Sequence, residues 1–405
     1  MNVGTPDIAM ISPFPGIRAE RANPSGVAGY TARLAQELAS EGVGVHVVAP
    51  RIDGERDLDR VGGVTVERRF SRGGGALPKA VRVADETGAA VVHLQHEIFL
   101  FGGTSSIPGL VPALATLKRR RVGPVVTMHQ VVDPSTIDRE FTRVHRVQVP
   151  PKAAQLGLAA LQRTVRRLAE TVVVHDHSFR RLVPGAEVIH HGVDQSDIDS
   201  GADAKQALGL SPECLTVLCF GYLSPYKGLE AALDAAEQAG SAIELVVVGG
   251  EHPRLAGVDD YAAGLRRRYG STARFVGYVP DDEVPGWFGA ADLLLLPYPR
   301  PFSTSGPYAR ALGFGTPVLC SPELALSLGA PSDMVVSTEP VLLAGRLLEL
   351  ANDRKRLQPL QKLTGDLAKG RSWKQVAQRH VSIYEEVALA NRTPGRSVRT
   401  RQFGG

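Results

Sequence analysis

Cysteine is scarce in this chain of 405 residues: there are three, Cys214, Cys219 and Cys320, each in or beside an apolar run. That number excludes a disulfide framework and favours reduced, buried thiols, hence a cytoplasmic protein. Long apolar stretches are missing too; none approaches the roughly 20 residues that span a bilayer. The first residues lack a basic segment followed by a signal-peptide core, and Asp7–Phe14 reads as a first β-strand. The basic clusters Arg119–Arg121 and Arg163, Arg166 and Arg167 are not interleaved with aromatics, which argues against a nucleic-acid surface. Internal repeats are absent, and the one low-complexity segment is residues 391–405, read as a disordered tail.

What is present is an ordinary globular balance, 43% hydrophobic and 22% charged, in a chain long enough for two α/β domains. The net charge of +4 is carried mostly by arginine. It reads either as solvated helix faces or as attraction to an anionic membrane surface or acidic ligand. Strand-like runs alternate with helical ones, the mark of parallel sheets covered by helices. Strands are expected near 8–14, 45–50, 64–70, 91–96, 125–129, 171–175 and 187–190, then near 215–222, 243–249, 273–278, 293–297, 317–320 and 333–337. The polar segment Gly192–Glu213 reads as a linker. The expected domains are 1–198 and 199–372, followed by a helix over 373–390 with Val376, His380, Ile383, Tyr384 and Val387 on one face. The fold class is α/β, with two doubly wound Rossmann-like domains whose ligands sit at the carboxyl ends of the strands.

The most informative stretch is 220–239, FGYLSPYKGLEAALDAAEQA. A strand ends at Cys219 and Phe220, Lys227-Gly228 forms a turn, and Leu229, Leu233 and Ala236 begin an amphipathic helix. A lysine beside a helix N-terminus is a good place for a phosphate. Upstream, Gly26 and Gly29 open a helix after the first strand, where backbone can approach an anionic ligand. His93, Gln95, His96 and Glu97 end one strand, with His93 and Gln95 on one face and His96 on the other; His129 ends the next. No ligand spacing there suits zinc. His175, Asp176 and His177 follow another strand, and the run His190–Asp194 reads as a hinge turn. Ser303, Thr304, Ser305 and Gly306 open a helix that carries Arg310. Asp281 reads as the N-cap of a helix whose Trp287 and Phe288 are core residues. Asp57-Leu58-Asp59 and Asp197-Ile198-Asp199 match a magnesium-binding Asp-x-Asp, but both read as polar loops, so no metal is assigned.

The stretch 220–239, with IELVVVGG, ARFVGYVPDDEVPGWFGAADLLLLPY and SGPYARALGFGTPVLCSP after it, resembles the donor-binding domain of family-4 glycosyltransferases. The resemblance implies the GT-B architecture, with the acceptor on the first domain, the donor mainly on the second, and the final helix crossing back to the first. It implies a nucleotide-sugar donor as co-substrate, no cofactor, and transfer with retention of configuration. Lys227 and His129 would act at the reacting centre. Gly26, Ser303 to Gly306 and Arg310 would serve the diphosphate, Gly277 and Tyr278 the nucleobase, and His96 and Glu97 the acceptor. Two departures stand out. Tyr222 occupies the position of a second phosphate cation, and Phe302 and Arg310 replace a pair of glutamates, as in a divergent branch with Ser-Gly in this loop. The expected acceptor is a glycan, a lipid-linked sugar or a small molecule such as an aminocyclitol, and peripheral contact with the inner membrane face is part of the expectation. Two alternatives stay open: a phosphorylase or epimerase of the same fold, and a non-catalytic sugar-nucleotide-binding or partner protein.

Overall fold

The computed structural model describes residues 5–18, 26–144, 147–251, 260–299 and 305–391. Ser303, Thr304, Phe302, most of the glycine-loop approach and the tail after residue 391 lie outside them. The chain divides into two compact units, Met1–Gly192 with Trp373–Gly405, and Val193–Ser372.

Unit 1 holds a sheet of β1 (Ile8–Ile11), β2 (Val45–Pro50), β3 (Leu58–Val61), β4 (Val64–Phe70), β5 (Val91–His96), β6 (Gly123–Met128), β7 (Thr171–Val174) and β8 (Glu187–Val188). Their spatial order is β3-β4-β2-β1-β5-β6-β7-β8, parallel except for β3 against β4. The inner strands are short apolar runs buried at every residue, as a sheet covered on both faces requires. Successive residues feed opposite layers: Ala9 and Ile11 join one core, Ile8 and Met10 the other. The helix Trp373–Ala390 covers the second layer with Val376, His380, Ile383, Tyr384 and Val387. It lies so close that a β-carbon at Gly123 would collide with Val387. That packing is why the last helix belongs to unit 1.

Unit 2 is a parallel sheet of β9 (Leu215–Phe220), β10 (Ile243–Val248), β11 (Ala273–Gly277), β12 (Leu293–Leu296) and β13 (Val318–Cys320), in the order β11-β10-β9-β12-β13. Leu215, Val217 and Cys219 face one core, Leu218, Val246 and Leu294 the other.

Five expectations need correction. No strand forms at 333–337: a single turn, Ser332–Met334, leaves only a one-residue bridge from Val335 to Cys320. Asp57-Leu58-Asp59 is not a loop; it leads into edge strand β3, folded on β4 by Gly62 (φ 56°) and Gly63 (φ 81°), whose positive φ values suit a tight hairpin. Its Asp59 carboxylate holds Arg18 at 2.8 and 2.9 Å. The segment after Gly192 is not a loose linker. It carries a helix, Ala202–Ala207, and its Lys205 is buried and paired with Asp292 at 2.6 Å. The unit boundary therefore falls at Gly192, not at 198. Asp281 does not cap: the helix Val284–Ala290 is preceded by Glu283, and Asp281 binds Arg310 instead.

The Ala202–Ala207 region is tied to that Val284–Ala290 helix at Gly289, where a β-carbon would strike the Asp199 carbonyl. Gly289→Ala should therefore destabilise unit 2 by about 2–3 kcal/mol, the usual cost of overpacking a rigid contact. Urea unfolding followed through Trp287 would measure it.

Candidate functional site

The order of the unit 2 sheet reverses between β9 and β12, and in doubly wound sheets ligands settle at the carboxyl ends beside such a switch. Phe220 and Gly221 leave β9 there, and Tyr298 follows β12. Lys227 closes the single turn Pro225–Lys227, and Gly228 (φ 61°) starts the helix Leu229–Ala239. A β-carbon at Gly228 would collide with the Pro297 carbonyl, so this turn is pinned to the end of β12.

Lys227 is not a surface lysine. It is 5% exposed; its Nζ donates to the Phe220 carbonyl at 3.2 Å and lies 5.9 Å from the Tyr298 ring centre. Among the described residues no carboxylate pairs with it. Burial lowers its pKa to about 8. An ammonium left so poorly compensated favours any anion that reaches it.

Gly221 lets three elements meet. A β-carbon there would lie 2.5 Å from Lys227 Nζ and 3.5 Å from Pro307 Cγ, at the start of the helix Gly306–Phe314. Ser305 caps that helix, its hydroxyl accepting from the Tyr308 N–H at 3.3 Å. The loop's offer to an anion is the positive end of the helix. Arg310 lies 5.7 Å over the Phe220 ring, paired with Asp281 at 2.9 Å. Lys227, Ser305, Gly306 and Arg310 are therefore brought together around Phe220 and Gly221. Gly249 (φ 152°) packs against the Gly221 carbonyl, and its N–H donates to Gly277 at 2.7 Å. Beyond this glycine edge stand two aromatics, Tyr278 at 71% and Tyr222 at 43% exposure. Trp287 and Phe288 are buried. Gly221, Tyr298 and Pro307 escaped the sequence reading, although Tyr298 ends the apolar run LLLLPY and that position was legible.

In unit 1 the reversal lies between β1 and β5. The helix Gly26–Ser40 follows β1, and a β-carbon at Gly26 or Gly29 would meet nothing within 4 Å among the described residues, so none of them in unit 1 demands glycine there. His96 and Glu97 end β5. His96 is buried, its Nδ1 has no partner among the described residues, and burial pulls its pKa down to about 4. His129 follows β6 with both ring nitrogens engaged: Nε2 lies 2.7 Å from the Gln95 side-chain amide and Nδ1 3.1 Å from His175 Nε2. The Tyr30 ring packs against His129, His175, His191 and Trp373 at centroid distances of 4.8 to 5.2 Å. His93 bonds Tyr384 Oη at 2.6 Å and Thr127 at 2.7 Å. The histidines thus form a continuous buried array rather than separate strand-end ligands. Among the described residues no group of His, Cys, Asp or Glu could hold a metal ion.

Residues 24–197 match the sequence model of Glycosyltransferase Family 4. That match covers a little under half of the chain. The chain is 33% identical over 178 residues to the 2-deoxystreptamine glucosyltransferase of Streptomyces kanamyceticus, a match spanning 42% of the chain and 43% of that relative. It shares its GT-B fold with sucrose-phosphate synthase from Thermosynechococcus elongatus (TM-score 0.69, 19% identity, covering 95% of this chain and 99% of that one). The Anabaena protein HepE, solved in complex with UDP, is similarly related (TM-score 0.66, 17% identity, 94% and 100%).

Proposed function

We propose that the chain transfers a sugar from a nucleoside-diphosphate sugar to an acceptor hydroxyl, with retention of configuration. The observation that carries this reading is the buried Lys227 ammonium, paired with no carboxylate among the described residues and set against the N-terminus of the Gly306–Phe314 helix at the switch point of unit 2. Negative charge develops on a diphosphate as the glycosidic bond breaks, and a fixed cation in a dry site stabilises it there. In a retaining reaction the departing phosphate can itself accept the proton of the acceptor hydroxyl, so no protein nucleophile is required. Gly277 and the exposed Tyr278 are assigned to the nucleobase, with Ser303 to Gly306 and Gly26 on the phosphates. Arg310 supplies the cation missing at Tyr222. His129 is assigned to the donor sugar, His96 and Glu97 to the acceptor. HepE in complex with UDP and the relative that glucosylates 2-deoxystreptamine support a nucleotide-sugar donor and a small polyhydroxylated acceptor. Donor hexose and a cytoplasmic location are part of the same proposal. No described helix is long and apolar enough to cross a membrane. The helix Pro151–Leu168 has no acidic residue and exposes Lys152, Leu156, Arg163 and Arg167, which supports an anionic or membrane-associated acceptor as the second choice.

Thermal unfolding with UDP-, GDP-, ADP- and dTDP-sugars, the free diphosphates and phosphate would test the donor. A ligand at 100 times its Kd adds about 2.7 kcal/mol and raises Tm by a few degrees. Stabilisation confined to one base, followed by release of that diphosphate when an aminocyclitol is added, is the expected result. Stabilisation by phosphate alone would favour a phosphorylase. Binding without release in the presence of any acceptor would favour the sugar-nucleotide-binding protein.

A further inference from the structure

The buried histidine array has a polarity that a single backbone carbonyl determines. His175 is fully buried, and its Nδ1 lies 2.8 Å from the Ile189 carbonyl oxygen. A carbonyl can only accept, so His175 carries its proton on Nδ1. In a neutral ring Nε2 is then an acceptor. Among the described residues the one group facing it at hydrogen-bond distance is Nδ1 of His129, 3.1 Å away, which must donate. With its proton on Nδ1, a neutral His129 presents a lone pair at Nε2, so the Gln95 amide, placed with Oε1 2.7 Å from that nitrogen and Nε2 3.2 Å from His93 Nε2, must sit the other way round, its NH2 toward His129 and its oxygen toward the His93 ring. The two ends of an amide have the same shape, and only the network decides between them. The opposite order would make one of two adjacent buried imidazoles a cation. Desolvation and the neighbouring His191 oppose that, holding His175 down to about 3.

We propose that His175 is a positioning residue that fixes His129 as the Nδ1–H tautomer, with Nε2 kept as a hydrogen-bond acceptor. Such a His129 accepts a hydrogen bond from a donor-sugar hydroxyl when it exchanges Gln95 for the ligand, and it has no Nε2 proton to donate to the leaving phosphate. The role of His175 in turnover rests on the reading of His129 as a donor-sugar residue; the tautomer itself does not.

The test uses the full chain labelled with 15N-histidine, with long-range 1H–15N spectra assigned by comparison with His129→Asn. The wild type should show His129 neutral with Nδ1 protonated. His175→Phe keeps a ring but loses both hydrogen bonds; it should scramble the His129 tautomer and lower kcat about tenfold, the worth of one lost hydrogen bond, with donor KM changed less. His175→Gln, whose amide can donate to Ile189 and accept from His129, should restore both. An Nε2-protonated or cationic His129 in the wild type overturns the proposal whatever the activity. The predicted tautomer with unchanged kcat in a folded His175→Phe overturns the positioning role but leaves the donor site at Lys227 standing. Should His175→Phe fail to fold, the wild-type spectrum and the Gln variant still decide.

Discussion

Between pH 6 and pH 5 unit 1 should unfold while unit 2 remains folded. His93, His96, His129, His175 and His380 are all buried, and burial holds every one of them well below the ordinary histidine value, three at about 3 to 4. The unfolded chain protonates them near pH 6.5, so it binds more protons than the folded one throughout the interval below. Stability is fully present above pH 6.5 and is lost as pH falls toward 4. Each such histidine removes about 1.4 kcal/mol per pH unit in that window. At pH 5.5 five together remove about 7 kcal/mol, as much as the whole stability of many domains. Unit 2 has no histidine among its described residues. The chain has two tryptophans, Trp287 in unit 2 and Trp373 in unit 1, so each can report its own unit once the other is replaced by phenylalanine. The expected result is an acid transition of Trp373 several protons steep, with Trp287 unchanged. A unit 1 that keeps its native spectrum to pH 4.5 would show that the array is hydrated or otherwise compensated.

The second large effect is at Lys227, where Lys227→Met should act with opposite signs on stability and on binding. Methionine keeps most of the stem and removes a charge that the fold holds at a desolvation cost, so unliganded unit 2 should be no less stable, and its Tm should rise. Diphosphate affinity should fall by about 2–4 kcal/mol, roughly 30- to 1,000-fold, the usual loss when one partner of a desolvated charge pair is removed. In the wild type the ammonium must be protonated to bind. With its pKa lowered to about 8, donor affinity should be level below pH 7.5 and decline by up to about tenfold per unit above 8. Unliganded unit 2, conversely, should gain stability as pH rises from about 8 toward 10.5, because the unfolded lysine holds its proton longer. Calorimetric titrations and melts across this range check both slopes.

Much of this was legible in the chain. Apolar runs such as VHVVAP and IELVVV marked the buried parallel strands, and the spacing of Val376, His380, Ile383, Tyr384 and Val387 gave the final helix and its inward face. Lys227 was legible because a Lys-Gly turn between a strand and an amphipathic helix has few uses. The β3–β4 hairpin was missed although Gly62-Gly63 is a strong turn signal, because β3 is a half-exposed edge strand without an apolar run. The segment after Gly192 looked like a linker because its buried apolar residues, Val193, Ala204 and Leu210, are few and widely spaced among polar ones, and its anchoring ion pair reaches a distant Asp292. The histidine array could not be read at all. His93, His129, His175 and His380 are up to 287 positions apart in sequence, and only the sheet order of β5, β6 and β7 with the returning helix stacks them. Likewise, nothing in the sequence says that Gly221 touches Pro307.

The most direct test is a calorimetric titration of the nucleoside diphosphate selected by the melting panel into wild-type and Lys227→Met protein at pH 7. The site described here predicts one binding site per chain in the wild type, and an affinity at least 30-fold weaker in a variant that melts no lower than the wild type. Equal affinities, or no binding of any nucleoside diphosphate to the wild type, would contradict it.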